Sequence, residues 1–334
     1  MILVAYVVLG LMFAVYVALD GYDLGVAVVA PAVARNDADR AAAMASIGPF
    51  WNGNEVWLIA AGGMLFALFP HAYASSFSGF YLPLIIVLWL LMFRGIAMEL
   101  RDHFPSAVWH AFWDAAFTGS SGLLVILYGV ALGNLLRGVP LDAHGYFVGT
   151  FAFLLNPYAL GVGAFALAVL ALHGLTFLAW QADAVVAQRA AALIPRVWLS
   201  ALALYAGVTA LTLTVRFGHA GLPILVPVFS LAALIMVWRL NAVRRPGAAF
   251  AASSIFVLSL LATAAATLYP YIVPAYPAGS GGLSIYDEMS SPVVFGAFLA
   301  VAIAGIVAVI AYQAVAARAM ARRPERSAFD PTLR

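Results

Sequence analysis

The sequence predicts an all-α integral membrane protein with about nine transmembrane helices, the N-terminus outside and the C-terminus in the cytoplasm. Three observations predict it. Hydrophobic residues make up 65% of the 334-residue chain and charged residues only 9%, with a mean hydropathy of +1.02. A soluble domain is closer to half apolar and a quarter charged. Nine apolar runs reach about the 20 residues that a helix needs to cross the hydrocarbon core. The basic residues, finally, are sorted between alternate connections.

In chain order the runs lie at about 2–30, 48–69, 76–98, 114–136, 151–180, 194–216, 222–240, 249–275 and 292–317. They are long and do not alternate polar with apolar residues, which argues against strands. The first lacks a basic leading segment and runs on into DGYDLG, so it is expected to be retained rather than cleaved. All 16 basic residues are Arg, and 14 of them fall in the odd-numbered connections, near their ends or in the C-terminal tail. Only Arg137 and Arg216 fall in the even-numbered ones. The positive-inside rule then sets the orientation, and an odd number of spans requires the same one. Residues 1–317 are expected to form a single polytopic domain and 318–334 a cytoplasmic Arg-rich tail.

The composition also excludes function classes. With no cysteine there is no disulfide, thiolate catalysis or Cys-ligated cluster. No phosphate loop or nucleotide motif occurs, and no nucleic-acid partner is expected. The connections are short, so the available chemistry lies in or near the membrane.

Ionisable residues within spans cost about 3 kcal/mol or more near the bilayer centre and call for a reason. In the first run, Asp20 and Asp23 are three apart and share a helix face. Gly21 and Gly25 form a small-xxx-small pair that lets another helix approach. Two readings stand open: a tight helix contact with satisfied carboxylates, or an acid pair on a proton or ion route. In the second run, SIGPFWNGNEVW begins a helix at Pro49. Glu55 lies about two turns in, roughly 10 Å from the cytoplasmic end. Asn52 shares its face, and Trp51 and Trp57 suit the interfacial aromatic belt. Glu55 is equally readable as a proton-loading group or as a structural contact. In the third run, Arg94 and Glu99 lie near the cytoplasmic end. Arg94 is expected in a structural pair with Glu99, Asp20 or Asp23. Asp114 and Asp183, at span ends, are expected to be solvated or capping.

Haem in a helical bundle usually needs an axial His within a span. His71, His144 and His219 fall at outer connections and His103 and His110 at an inner one. Only His173 lies inside an apolar run, where a hydrogen-bonded helix contact is the default. No haem or metal is therefore expected on this chain.

The segments DGYDLGV, RND, SIGPFWNGNEVWLIAAGGMLFALFP, YASSFSGFYLPL and FRGIAMELR, with GNLLRGVP, LLNPYAL, LYPYIVPA and LSIYDEMSS further on, follow one another in order over nearly the whole chain. Together they resemble the smaller core subunit, subunit II, of cytochrome bd-type quinol oxidases. The resemblance implies a bacterial multi-pass cell-membrane protein in an electrogenic quinol:O2 oxidoreductase of the respiratory chain. It implies a heterodimer with subunit I, which carries the haems and the quinol site, with protons for water drawn from the cytoplasm. Membrane lipid, a small accessory subunit, and a quinone or lipid between the helices are compatible with it. The family's proton-uptake acid lies in a W-D-G-N element whose matching position here is Asn52, an amide that cannot release a proton. Glu55, water ordered by Asn52, or a path through subunit I would then take its place. Asp20, Asp23, Arg94 and Glu99 match family charges whose roles look structural or accessory. Without the resemblance, a proton-coupled secondary transporter or channel is the competing reading, and a structural subunit with no ionic role is a third.

Overall fold

The structure is a computed structural model that describes residues 2–216, 225–277, 279–286 and 292–321. His219, Asp287, Glu288 and the tail from Arg322 to Arg334 lie outside the described residues. Among the described residues the regular elements are helices apart from one small hairpin, and a non-helical stretch at 138–150 joins α6 to α7. Its helices are α1 (Ile2–Val33), α2 (Asp37–Ile47), α3 (Trp51–Leu68), α4 (Pro70–Gly79), α5 (Tyr81–Leu100), α6 (Ala107–Arg137), α7 (Phe151–Leu154), α8 (Pro157–Gln181), α9 (Ala184–Arg216), α10 (Leu225–Ala242), α11 (Pro246–Leu268) and α12 (Pro292–Ala321). Strands β1 (Tyr271–Pro274) and β2 (Gly282–Ser284) pair antiparallel between α11 and α12.

Helix occupies each of the nine expected runs. Among the described residues, six helices are long and apolar enough to cross a membrane: α1, α5 with the turn after it, α6, α8, α9 and α11. In α3, Asn52, Asn54 and Glu55 dilute an otherwise apolar 18-residue helix. The described apolar parts of α10 and α12 are shorter, at Pro227–Ala242 and Val293–Gly305.

Two helices start earlier than expected, α6 at Ala107 rather than 114 and α9 at Ala184 rather than 194, and three other boundaries are corrected by prolines. The third run starts at Tyr81 rather than 76, because the ring of Pro83 opposes a helical carbonyl at Gly79, where α4 ends. The fifth is broken after α7, and α8 restarts at Pro157, with the Asn156 side chain accepting from the Ala159 N–H at 3.0 Å. The eighth, expected to reach 275, ends at Leu268, because Tyr269 precedes Pro270 and takes an extended conformation. The residues beyond it form β1 rather than helix.

Helix α8 is the centre of the bundle, packed against α1, α6, α9 and α11. Glycine sets its closest crossings. A Cβ on Gly25 would lie 1.9 Å from the Leu170 carbonyl oxygen and 2.8 Å from the Gly174 nitrogen. On Gly21 it would meet the Leu170 side chain at 2.9 Å. Nearer the start of α8, a Cβ on Gly129 of α6 would lie 2.6 Å from Gly163 Cα. Two apolar clusters result. One joins the second half of α1 to α2, α6, α8, α9, α10 and α11. The other joins the first half of α1 to α3, the hairpin and α12. Asp20 and Asp23 sit between Tyr16 of the second cluster and Leu24 of the first.

Candidate functional site

The buried charges of α1, α3 and α5 meet at one place. Arg94 is fully buried on α5 and donates to both oxygens of Asp20, Nη1 to Oδ2 at 2.9 Å and Nη2 to Oδ1 at 2.5 Å. The same Nη2 lies 3.9 Å from Asp23 Oδ2, and Nη1 lies 3.8 Å from Glu55 Oε1. One guanidinium thus faces three carboxyl groups. Asp20 and Asp23 are fully buried, whereas the Glu55 side chain remains 25% exposed. Two-point binding of a planar guanidinium fixes Asp20 more tightly than a single contact does.

Glu55 opens onto a surface groove of about 470 Å³ between α3 and α5. Trp51, Asn52, Gly95, Glu99 and Leu100 line the groove with it. The arrangement offers a line of polar groups from the surface to the interior: Glu55, then Arg94, then Asp20 and Asp23.

Other residues fall differently from expectation. Asn52 is exposed, and the buried amide is Asn54, two residues further along α3. Asn54 Nδ2 donates to Asp23 Oδ2 at 2.8 Å, to the Tyr22 hydroxyl at 2.8 Å and to the Leu19 carbonyl at 3.3 Å. The signal for it was available: Asn54, Trp57, Ala61, Leu65 and Leu68 are three or four apart and form the buried stripe of α3. The same stripe carries Trp57 into the interior, so it is not part of an interfacial belt. Trp51 stays half-buried, close to Gly95 across the groove. Glu99 is exposed and does not pair with Arg94, because five residues turn it to another face of α5. Next to the acids, the Tyr16 hydroxyl donates to the Tyr128 hydroxyl at 3.0 Å, tying α1 to α6.

His173 is fully buried on α8 and stacked on Phe250. Its Nε2 faces the Ala18 carbonyl at 2.9 Å, so it donates there, and Nδ1 faces the Ser253 hydroxyl at 2.7 Å. Both ring nitrogens are engaged by the protein.

A second charge network, at the α2 end, adds to these groups. Arg101 reaches Asp114 at 2.7 Å, Asp102 at 2.9 Å and Asp37 at 2.5 Å. Asp114 also meets Arg40 at 3.4 Å, so it is a bridging group rather than a solvated or capping one. Asp183 does cap, accepting from the Val186 N–H at 3.1 Å. Arg189 of α9 binds Asp39 of α2 at 2.5 Å. The Arg35 backbone N–H and then the Arg189 guanidinium hold the Asp39 carboxyl below the usual carboxylate range.

This bundle has known relatives. A family profile described as cytochrome bd terminal oxidase subunit II matches residues 1–320. The chain belongs to the cytochrome bd subunit II family. Cytochrome bd-I ubiquinol oxidase subunit 2 of Escherichia coli strain K12 is 30% identical, over 92% of this chain and 91% of its own. Probable cytochrome oxidase subunit 2 of Haemophilus influenzae is 29% identical, over 88% and 87%. Cytochrome bd ubiquinol oxidase subunit 2 of Bacillus subtilis is 34% identical, over 52% and 51%. In fold, the chain matches the solved bd oxidase from Geobacillus thermodenitrificans with a TM-score of 0.78 at 20% identity, covering 96% of this chain and 98% of that one. As a member of the bd subunit II family, the protein is a multi-pass protein of the bacterial inner membrane.

Proposed function

We propose that this chain is the non-haem subunit II of a cytochrome bd-type quinol:O2 oxidoreductase, scaffolding the haem-bearing subunit I and helping to bring protons from the cytoplasm to the site where O2 becomes water. It crosses the membrane nine times, with the N-terminus outside and the C-terminus and its Arg-rich tail inside. Haems and the quinol site belong to subunit I. Membrane lipid surrounds the pair, and a small accessory subunit or a quinone between the helices fits the same assembly.

The observation that carries the proton role is the position of Glu55. It is the one carboxyl group of the Arg94 cluster that is still partly exposed, and it lies 3.8 Å from Arg94 Nη1 in a groove near the start of α3. A group exposed at one end and electrically coupled to buried charges at the other can take up a proton and pass it inward. With one guanidinium facing three carboxyl groups, the cluster holds up to two protons at neutrality. Asn52 contributes a polar groove wall and no titrating group. On α5, Leu91, Met92 and Ile96 form the apolar wall of the groove beside Glu55.

The test is Glu55→Gln in the assembled oxidase, read by O2 consumption and by the haem spectrum. The expected result is slower O2 consumption, by about tenfold or more, with an unchanged spectrum. Full activity would remove Glu55 from the proton route. A colourless, solute-moving monomer isolated from the native membrane would instead restore the transporter reading.

A further inference from the structure

We infer that the two buried aspartates of α1 have different tasks, Asp20 as the fixed counter-ion of Arg94 and Asp23 as the group that carries the moving proton, with Asn54 as the positioning residue that orients Asp23. This division of labour rests on the proposed uptake of protons through Glu55 and makes Asp23 the next carrier inward.

Three residues separate the aspartates, yet their surroundings differ. Both Asp20 oxygens are engaged by Arg94, in a planar two-point contact. A proton on either oxygen would displace one of the two guanidinium N–H groups and neutralise the carboxylate that Arg94 holds most closely, leaving the cation only the more distant carboxyl groups of Asp23 and Glu55, at 3.9 and 3.8 Å. Asp23 has no such lock. Its Oδ2 accepts from the neutral amide of Asn54 at 2.8 Å and lies 3.9 Å from Arg94 Nη2. Its Oδ1 is buried and has no hydrogen-bond partner among the described residues. A proton can therefore bind Oδ1 without breaking a bond to the protein. Asn54 is well suited to hold this geometry in both protonation states, because an amide N–H donates to a carboxylate oxygen and equally to the carbonyl oxygen of the acid. Its further bonds to the Tyr22 hydroxyl and the Leu19 carbonyl fix the amide to α1.

The step is a proton transfer with no redox change. The Glu55 carboxyl gives its proton to an intervening water, and that water gives one of its own to Asp23 Oδ1. Glu55 is left as a carboxylate, to be reprotonated from the groove. Asp23 passes its proton on toward subunit I, and the Asp20–Arg94 pair keeps its charges throughout.

The experiment compares Asp23→Asn, Asp20→Asn, Asn54→Ala and Asn54→Gln with Glu55→Gln in the assembled oxidase. The readouts are the yield of haem-containing complex, O2 consumption, and the ratio of rates in H2O and D2O. Asp23→Asn should assemble with a normal haem spectrum, slow by about tenfold or more, and show a larger solvent isotope ratio, because proton transfer becomes limiting. Asp20→Asn should lose most of the assembled complex. Asn54→Ala should slow the enzyme and raise the isotope ratio, and Asn54→Gln should restore part of the rate. A fast Asp23→Asn beside a slow Glu55→Gln would overturn this assignment and leave the proposed function standing. A fast Glu55→Gln would overturn the proton role itself. Failure of Asp23→Asn to assemble would make Asp23 a structural counter-ion and likewise overturn the assignment.

Discussion

Arg94 of α5 holds Asp20 of α1 through two parallel hydrogen bonds, and both side chains are almost wholly withdrawn from solvent. Such a pair gains little over a well-packed apolar one, but removing either member strands a buried charge, at a cost of about 3–5 kcal/mol. Arg94→Gln is therefore expected to lower the yield of assembled oxidase sharply. The doubly neutral variant Arg94→Gln with Asp20→Asn should recover part of it, as measured by haem-containing complex per cell. Equal yields for the single and double variants would show that the pair does not hold α1 to α5.

The α1–α8 crossing gives a second prediction. A methyl group on Gly25 would run into the backbone of Leu170 and Gly174, which no side-chain rotation relieves. Gly25→Ala should destabilise by about 1–3 kcal/mol or more. Gly63→Ala is the control, because a Cβ there meets nothing within 4 Å. Thermal unfolding of the complex in detergent reads the difference, and matching transitions for the two variants would contradict the close approach.

Asn52 and Glu55 line the same groove, which makes a rescue experiment possible. If a carboxyl group in this groove is what proton uptake needs, then Asn52→Asp should restore O2 consumption to Glu55→Gln. Continued slow turnover in the double variant would mean that depth along α3, not merely a carboxyl in the groove, decides function.

The tie between α2 and α9 should be insensitive to pH over the physiological range. Asp39 titrates below its unfolded value of about 3.9. The contribution of a depressed carboxyl is fully present above the unfolded value and is lost as pH falls through the folded one. Once corrected for the intrinsic pH dependence of exchange, amide protection in α2 should thus stay constant between about pH 5 and 8 and fall only below about pH 4. Arg189→Gln should lower it throughout that range, and unchanged protection in that variant would remove the ion pair from the account.

His173 makes a prediction about cofactors. Because Ala18 and Ser253 occupy its two ring nitrogens, His173→Leu should leave the haem content per assembled complex unchanged while lowering stability. A fall in haem per complex would make it a ligand.

Much of this was legible in the chain. Hydropathy located helices because a bilayer demands long apolar runs whatever the neighbours are. Buried acids drew notice because charge within such runs is costly. Prolines moved three boundaries by geometry that a hydropathy average does not register, as at Pro83 and Pro270.

By itself, then, the sequence determined the membrane character, the runs in which helices form, the family, and which residues bring charge into the bundle. Only the tertiary structure decided that Arg94 grips Asp20 rather than Glu99, that Asn54 and not Asn52 reaches the acids, and that Trp57 turns inward while Glu55 keeps one side open. The reason is rotational. Each residue turns a helix by about 100°, so neighbours in sequence point to different partners. Which partner each one meets depends on how α1, α3 and α5 are set against one another and on crossings such as Gly25 on Gly174 that hold α1 in place.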